Sequence, residues 1–218
     1  MKIVATPSNR RGKSLRRDPE RTQERILAAA LKEFSGKGFT GARVDAIARS
    51  ASINKRMLYH YFGSKEELFR EVLRQKMAQR AAWLAASPMN PVELLPYWFE
   101  LAGKDPQWIH LLQWEALQLS GKKLIDEERR REALAQGVSR IRRRQELGVL
   151  SPQFDPRHVL LSHMALTLFP LAFPQITRLV TGYAATDPKF ICQHNNFLRR
   201  LAEMLYQNQN ATIPTNKN

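Results

Sequence analysis

VDAIARSASINKRMLYHYFGSKEEL, residues 44–68, is the stretch that decides the fold. Val44, Ile47, Ala48 and Ala51 recur at helical spacing, and Leu58 and Phe62 do so again after a short polar break. Thr40 is a candidate N-cap for the first run and Asn54 for the second, while Ile53 and Leu58 have the spacing of a hydrophobic staple around Asn54. Ser64 and Glu67 form a capping-box pattern that opens a longer helix through Leu68, Val72 and Leu73 toward Trp83. The spacing therefore predicts two short helices, Arg43–Ser50 and Asn54–Tyr59, joined by about three residues. That is what a helix-turn-helix requires: the second helix must fit a major groove while the first crosses the backbone.

Working outward, a preceding helix is expected from about Pro19 to Ser35, with Ile26, Ala30 and Phe34 on one stripe and Gly36 and Gly38 ending it. Residues 1–17 hold Lys2, Arg10, Arg11, Lys13, Arg16 and Arg17 with no acid, and read as a basic flexible arm. Downstream, Ser87-Pro-Met-Asn-Pro91 is strong punctuation. Helices are expected beyond it at 91–103, 105–120, 123–147, 155–181 with a break near Pro170 to Pro174, and 187–207. Five Asx-Pro pairs, at 18–19, 90–91, 105–106, 155–156 and 187–188, each offer a capping acceptor followed by proline at the first helical position. Strand signals are scarce, so the chain reads as all-α. The expected units are the arm, a helix-turn-helix domain at 18–63, a larger helical effector-binding and dimerisation domain at 64–207, and a flexible tail at 208–218.

A net charge of +15 points to a polyanionic partner, and the charge is densest at the N-terminus, where residues 1–63 hold 14 Lys and Arg against 5 Asp and Glu. Cys192 is the single cysteine, which rules out an intrachain disulfide and suits a reducing cytoplasm. The most apolar run, Met164 to Pro174, is interrupted by prolines and shorter than the roughly 20 residues of a membrane span. We therefore expect a cytoplasmic protein without a membrane partner.

Arg25-Ile-Leu-Ala-Ala-Ala-Leu-Lys-Glu-Phe34, Gly38-Phe-Thr40, Val44-Asp-Ala-Ile-Ala48, Leu58-Tyr-His-Tyr-Phe62 and Ser64-Lys-Glu-Glu-Leu68 together resemble the N-terminal domain of the TetR family of transcriptional regulators. The resemblance spans about residues 20–72. It departs from the family at Ser52, where a turn glycine is usual, and at Asn54-Lys-Arg-Met57, where the third helix commonly begins Ser-Lys-Gly-Thr. It implies phosphate contacts from Thr40 and Arg43, backbone clamping by Tyr59, His60 and Lys65, and base-edge reading by Lys55, Arg56 and Met57. Arg56 is the best candidate for a guanine, because its fork can make two bonds to O6 and N7. Asn54 serves as cap, phosphate contact or both. Tyr61 fits core packing and phosphate contact equally, and Met57 also fits a role covering the turn. The basic arm fits a solvated tail or a minor-groove arm. Arginines 129–131, 140 and 142–144 fit a solvated helix face, given the stripe Leu134, Val138 and Ile141, or a second nucleic-acid site.

Aromatic residues concentrate mid-chain. Trp83, Trp98, Phe99, Trp108 and Trp114, with His110 as a polar group, are candidate walls of an effector cavity or an ordinary bundle core; Tyr97 and Gln113 are nearby. The family resemblance implies pairing of the last two long helices with a second copy, and Met164, Leu168, Leu171, Phe190, Phe197, Leu198, Leu201 and Leu205 are the candidates, with an intrachain core as the other reading. His158 and His163, and Cys192 and His194, diverge around a helix and cannot share an ion, and no nucleophile elbow, phosphate loop or paired-cysteine zinc spacing is present. No cofactor, metal or catalysis is expected. The expected function is a homodimeric repressor that binds a double-stranded palindromic operator and is released by a small molecule; the alternative is an architectural DNA-binding protein without an effector.

Overall fold

The computed structural model describes residues 19–118 and 124–206. The predicted arm at 1–17, the Asp18 cap and the tail at 208–218 lie outside them. The chain is all-α, with α1 Pro19–Gly41, α2 Val44–Ser50, α3 Lys55–Phe62, α4 Lys65–Ala85, α5 Pro91–Gly103, α6 Pro106–Gln118, α7 Glu127–Glu146, α8 Pro156–Ala172, α9 Pro174–Thr181 and α10 Pro188–Leu205.

Local chemistry sets these boundaries. The carboxylates of Asp155 and Asp187 and the amide oxygen of Asn90 each accept a backbone N–H two residues on, at 2.8, 2.8 and 3.0 Å, and Asp105 Oδ1 accepts the N–H of Trp108 at 3.4 Å. Ser64 Oγ accepts the Glu67 N–H at 3.0 Å, while the Glu67 carboxylate turns to Arg70 rather than back to Ser64. Half of the expected capping box is therefore formed. The break between α8 and α9 falls at Phe173, just before Pro174, and bends the pair by 89°. No single helix among the described residues is long and apolar enough to cross a membrane; only the bent pair taken together reaches that length and composition.

Two expectations near the first turn need correction. The first helix does not stop at Ser35 but continues to Gly38, whose backbone (φ 70, ψ 175) only glycine adopts without strain. Thr40 does not cap the second helix. Arg43 holds that position in extended conformation, without a side-chain cap bond, because the chain after Gly38 makes a further turn before α2 begins.

Apolar side chains collect in two clusters. The first joins Ile26, Ala30 and Phe34 of α1 to Ile47 of α2, Leu58 of α3, Leu68 and Val72 of α4, and Trp108 and Leu111 of α6. The second joins Leu95 and Phe99 of α5 to Ile141 of α7, Leu150, and Phe190, Leu198 and Tyr206 at the C-terminal end. The first core thus runs past residue 63 into α4 and α6, so the expected boundary at 63/64 marks a change of helix and not of core. Each fully buried large apolar side chain contributes about 1.5–3 kcal/mol, and Leu58, Ile47, Phe34 and Ile26 are all at 0 % exposure. They are what holds α3 at its angle to α1.

Candidate nucleic-acid interface

α2 and α3 are joined through Ala51, Ser52 and Ile53. Ser52 lies at φ 53, the left-handed region, where a glycine would be less strained. The turn is closed by Ser52 N–H to Arg49 O and Ile53 N–H to Ala48 O, both 3.0 Å, and Arg25 of α1 donates its guanidinium to the carbonyl of Ala51. Arg25 is thus a positioning residue that the sequence did not single out, and nothing in its spacing marks it.

α3 is capped by Asn54, whose side-chain oxygen accepts the Met57 N–H at 2.7 Å. Leu58 points into the core, and Tyr61 and Phe62 pack against it half-buried. Lys55, Arg56, Tyr59 and His60 are exposed, whereas Met57 is half-buried. Lys55 Nζ sits 3.2 Å from Asp45 Oδ1 across the turn, with both side chains about half exposed. A pair so exposed is worth little and is easily exchanged for a phosphate.

Beside this unit, Arg43 is exposed at the head of α2, and its N–H donates to Glu33 Oε1 at 3.2 Å; the same oxygen accepts Lys37 Nζ at 2.8 Å. Burial opposes ionisation of Glu33, but the bonds from Lys37 and Arg43 and their charges together hold its carboxyl below the ordinary carboxylate value. Lys65 Nζ lies 3.4 Å from the carbonyl of Thr40 and 4.8 Å from the centre of the Phe39 ring, while the Thr40 N–H donates to Gln118 Oε1 at 3.2 Å. Gln118, at the end of α6, is a second group that sequence reading missed, because a contact 78 residues away leaves no local signature.

The mid-chain aromatic residues do not form one wall. Trp83, Trp98 and Trp108 converge on Arg80, with ring centres 5.9, 5.8 and 5.3 Å from its guanidinium carbon. Phe99 belongs to the second core, and His110 is exposed. Trp114 lines a separate cavity of about 90 Å³ with Gly38, Phe39 and Gln118, where α1 meets α6. Arg80 had a readable signal, since it lies three residues before Trp83 and so on the same face of α4.

Of the candidate pairing residues, Phe197 is 51 % exposed, and Met164, Leu168, Leu171, Leu201 and Leu205 are half-buried. Phe190 and Leu198 instead point into the subunit's own core, at 5 % and 0 % exposure, because that face of α10 packs on α5. On α7, Ile141 is buried, Val138 half-buried and Leu134 about half exposed, so the expected stripe covers only part of the helix. Arg130 makes a two-pronged bond to Glu115 at 2.6 and 2.8 Å, and Arg131 and Arg143 pair with acids on their own helix. Among the described residues no group of three or more His, Cys, Asp or Glu could hold a metal ion.

A capped helix that presents exposed cations, anchored by one buried leucine and preceded by a left-handed turn, defines a helix-turn-helix DNA-binding unit. A family model described as bacterial regulatory proteins of the tetR family matches residues 26–72, and one for a tetracyclin repressor-like C-terminal domain matches residues 92–195. The HTH-type transcriptional repressor SCO4008 of Streptomyces coelicolor is 34% identical over 166 residues, covering 76% of this chain and 86% of that protein. The HTH-type transcriptional regulator RutR of Escherichia coli K12 is 33% identical over 192 residues, covering 81% and 86%. The crystal structure of SCO4942 from Streptomyces coelicolor superposes with a TM-score of 0.69 at 28% identity, over 85% of this chain and 98% of that one. The chain belongs to the TetR family and is a DNA-binding transcriptional regulator.

Proposed function

We propose that the protein is a homodimeric repressor of a palindromic operator, released by a small molecule. The observation that carries the DNA-reading part is the exposure of Lys55 and Arg56 on a helix fixed by fully buried Leu58. Lys55, Arg56 and Met57 read base edges; Thr40, Arg43, Asn54, Tyr59, His60 and Lys65 hold phosphates; Tyr61 combines core packing with a phosphate contact through its hydroxyl. The basic arm adds sequence-independent attraction.

Support for dimerisation comes from Leu161, Leu179, Val180, Phe197 and Met204, large apolar side chains on α8, α9 and α10 that are at least half exposed. A second copy covering them would give the protein two α3 helices, and two-fold readers of this kind meet half-sites about 34–36 Å apart. Release is supported by the contact between α6 and the DNA-reading unit: Trp108 and Leu111 are in its core, and Gln118 holds the Thr40 N–H. A ligand that prefers one arrangement of α4 and α6 would change the half-site spacing, by as much as its affinities for the two arrangements differ.

Selection of random duplexes by the purified protein tests this reading. One enriched inverted repeat bound by two copies supports it, whereas uniform, salt-sensitive binding supports an architectural protein without an effector.

A further inference from the structure

Arg80 of α4 is enclosed by three indoles from three helices, Trp83 of α4, Trp98 of α5 and Trp108 of α6. Its Nη1 is buried and has no hydrogen-bond partner. The acid that acts on it is Asp105, which makes no hydrogen bond to it: Oδ1 accepts Lys76 Nζ at 2.6 Å and the Trp108 N–H at 3.4 Å, and Oδ2 is buried without a partner. One carboxylate therefore faces two cations. Burial pulls the Arg80 pKa down and Asp105 offsets this only in part, yet an arginine stays charged in a protein.

A buried guanidinium with an unmet donor is costly, and buried polar groups otherwise almost always find a partner. Three features identify what would satisfy it. The unmet atom is a donor beside surplus positive charge, which calls for an anion. The walls are flat indole faces, which call for a planar body. Trp83 and Trp98 are half-buried, so the enclosure has an outer side, while Trp108 closes the inner side against the DNA unit's core. Aromatic enclosures also attract cations, but this one already holds its own, and a second would be repelled by Arg80 and Lys76.

We propose that Arg80, within the indoles of Trp83, Trp98 and Trp108, anchors a binding site for a planar organic anion, whose carboxylate takes the free Nη1 and whose body stacks on the rings. The site rests on the reading of the protein as ligand-released, and names the chemical class of the ligand. Arg80 lies on the helix that begins at Ser64, and Trp108 on the helix that holds Thr40 through Gln118, so an occupant touches both elements that abut the DNA unit.

The test is calorimetric titration of the full chain with benzene, naphthalene and indole carboxylates, each beside its amide and its methylamine counterpart. At least one carboxylate should bind, with its amide and amine weaker by roughly tenfold to a hundredfold, the range of a charge-assisted hydrogen bond. R80M should remove that preference and R80K should keep part of it; both should unfold with a single cooperative transition. D105N, which retains an oxygen for the Trp108 N–H, should tighten carboxylate binding because a competing anion is gone. Equal binding of amide and carboxylate, an unchanged preference in R80M, or no carboxylate binding at millimolar concentration overturns the site. Release of operator DNA is read separately. Carboxylate binding through Arg80 with no release upholds the site and overturns the ligand-release reading, while release that persists in R80M overturns the site alone.

Discussion

Replacing Gly38 by alanine tests the junction between the DNA-reading unit and α6, and the structure fixes its sign and size. Gly38 sits at φ 70 and ψ 175, a region nearly confined to glycine, where another residue costs about 1–3 kcal/mol. An added Cβ would lie 2.5 Å from Gln118 Nε2 and 2.9 Å from Trp114 Cδ2. The glutamine can swing aside, but the indole lies against packed helices, and overpacking of that kind costs about 1–3 kcal/mol. Together G38A should lose roughly 2–6 kcal/mol, a large part of the roughly 5–15 kcal/mol by which a domain is stable. G36A is the control. An added Cβ at Gly36 meets nothing within 4 Å, and alanine in a helix gains about 0.5–1 kcal/mol over glycine. Urea unfolding of both variants gives the free energies, and operator binding by G38A should weaken because Gln118 can no longer reach Thr40. Equal stability of the two variants, or a loss in G38A below about 1 kcal/mol, would refute the reasoning that Gly38 exists to let α6 approach.

L58A should lose about 2–5 kcal/mol in denaturant unfolding and should abolish specific DNA binding, since Leu58 is what fixes α3. N54A should cost about 0.5–2 kcal/mol through loss of the cap on Met57, measured the same way. R56A should relax base preference at one operator position, while K65A should weaken binding to every sequence and flatten the salt dependence; equal losses on all sequences from both would show that Arg56 holds phosphate. Burial, with help from Arg144, pulls the His163 imidazole down from 6.5 to about 4. The unfolded state therefore takes up the proton first as pH falls, so this contribution is whole above about pH 6.5 and lost progressively toward pH 4. It amounts to about 3 kcal/mol, and urea midpoints of wild type and H163Q between pH 7 and 4 should converge as the pH falls.

The all-α class, the order of the helices and most of their starts were legible because each rests on a local device. An Asx-Pro pair, the Asn54 cap, or a period of apolar residues acts within a few residues of itself. The two short helices were legible for the same reason, and with them Lys55 and Arg56, since placing Leu58 inward turns those neighbours outward. The turn conformation was left open, because Ser52 stands where the family has a glycine; it adopts the glycine-like backbone all the same. What the sequence left open were choices between partners. Gly36 and Gly38 look alike as stop signals, yet only Gly38 leaves the helical backbone, because α6 arrives there. The mid-chain aromatic residues fitted cavity walls or an ordinary core equally well, and packing sent three tryptophans to Arg80, Trp114 to Gly38, and Phe99 to the other core. Phe190 and Phe197 were candidates for pairing or for an intrachain core alike, and docking on α5 buried the first and left the second outside. By itself, then, the sequence determined which residues form each helix and which face is apolar. Which apolar face meets which, and so where a charge such as Arg80 is stranded, was decided only by the tertiary structure, because those contacts join residues far apart in the chain whose complementarity exists only once the helices are packed.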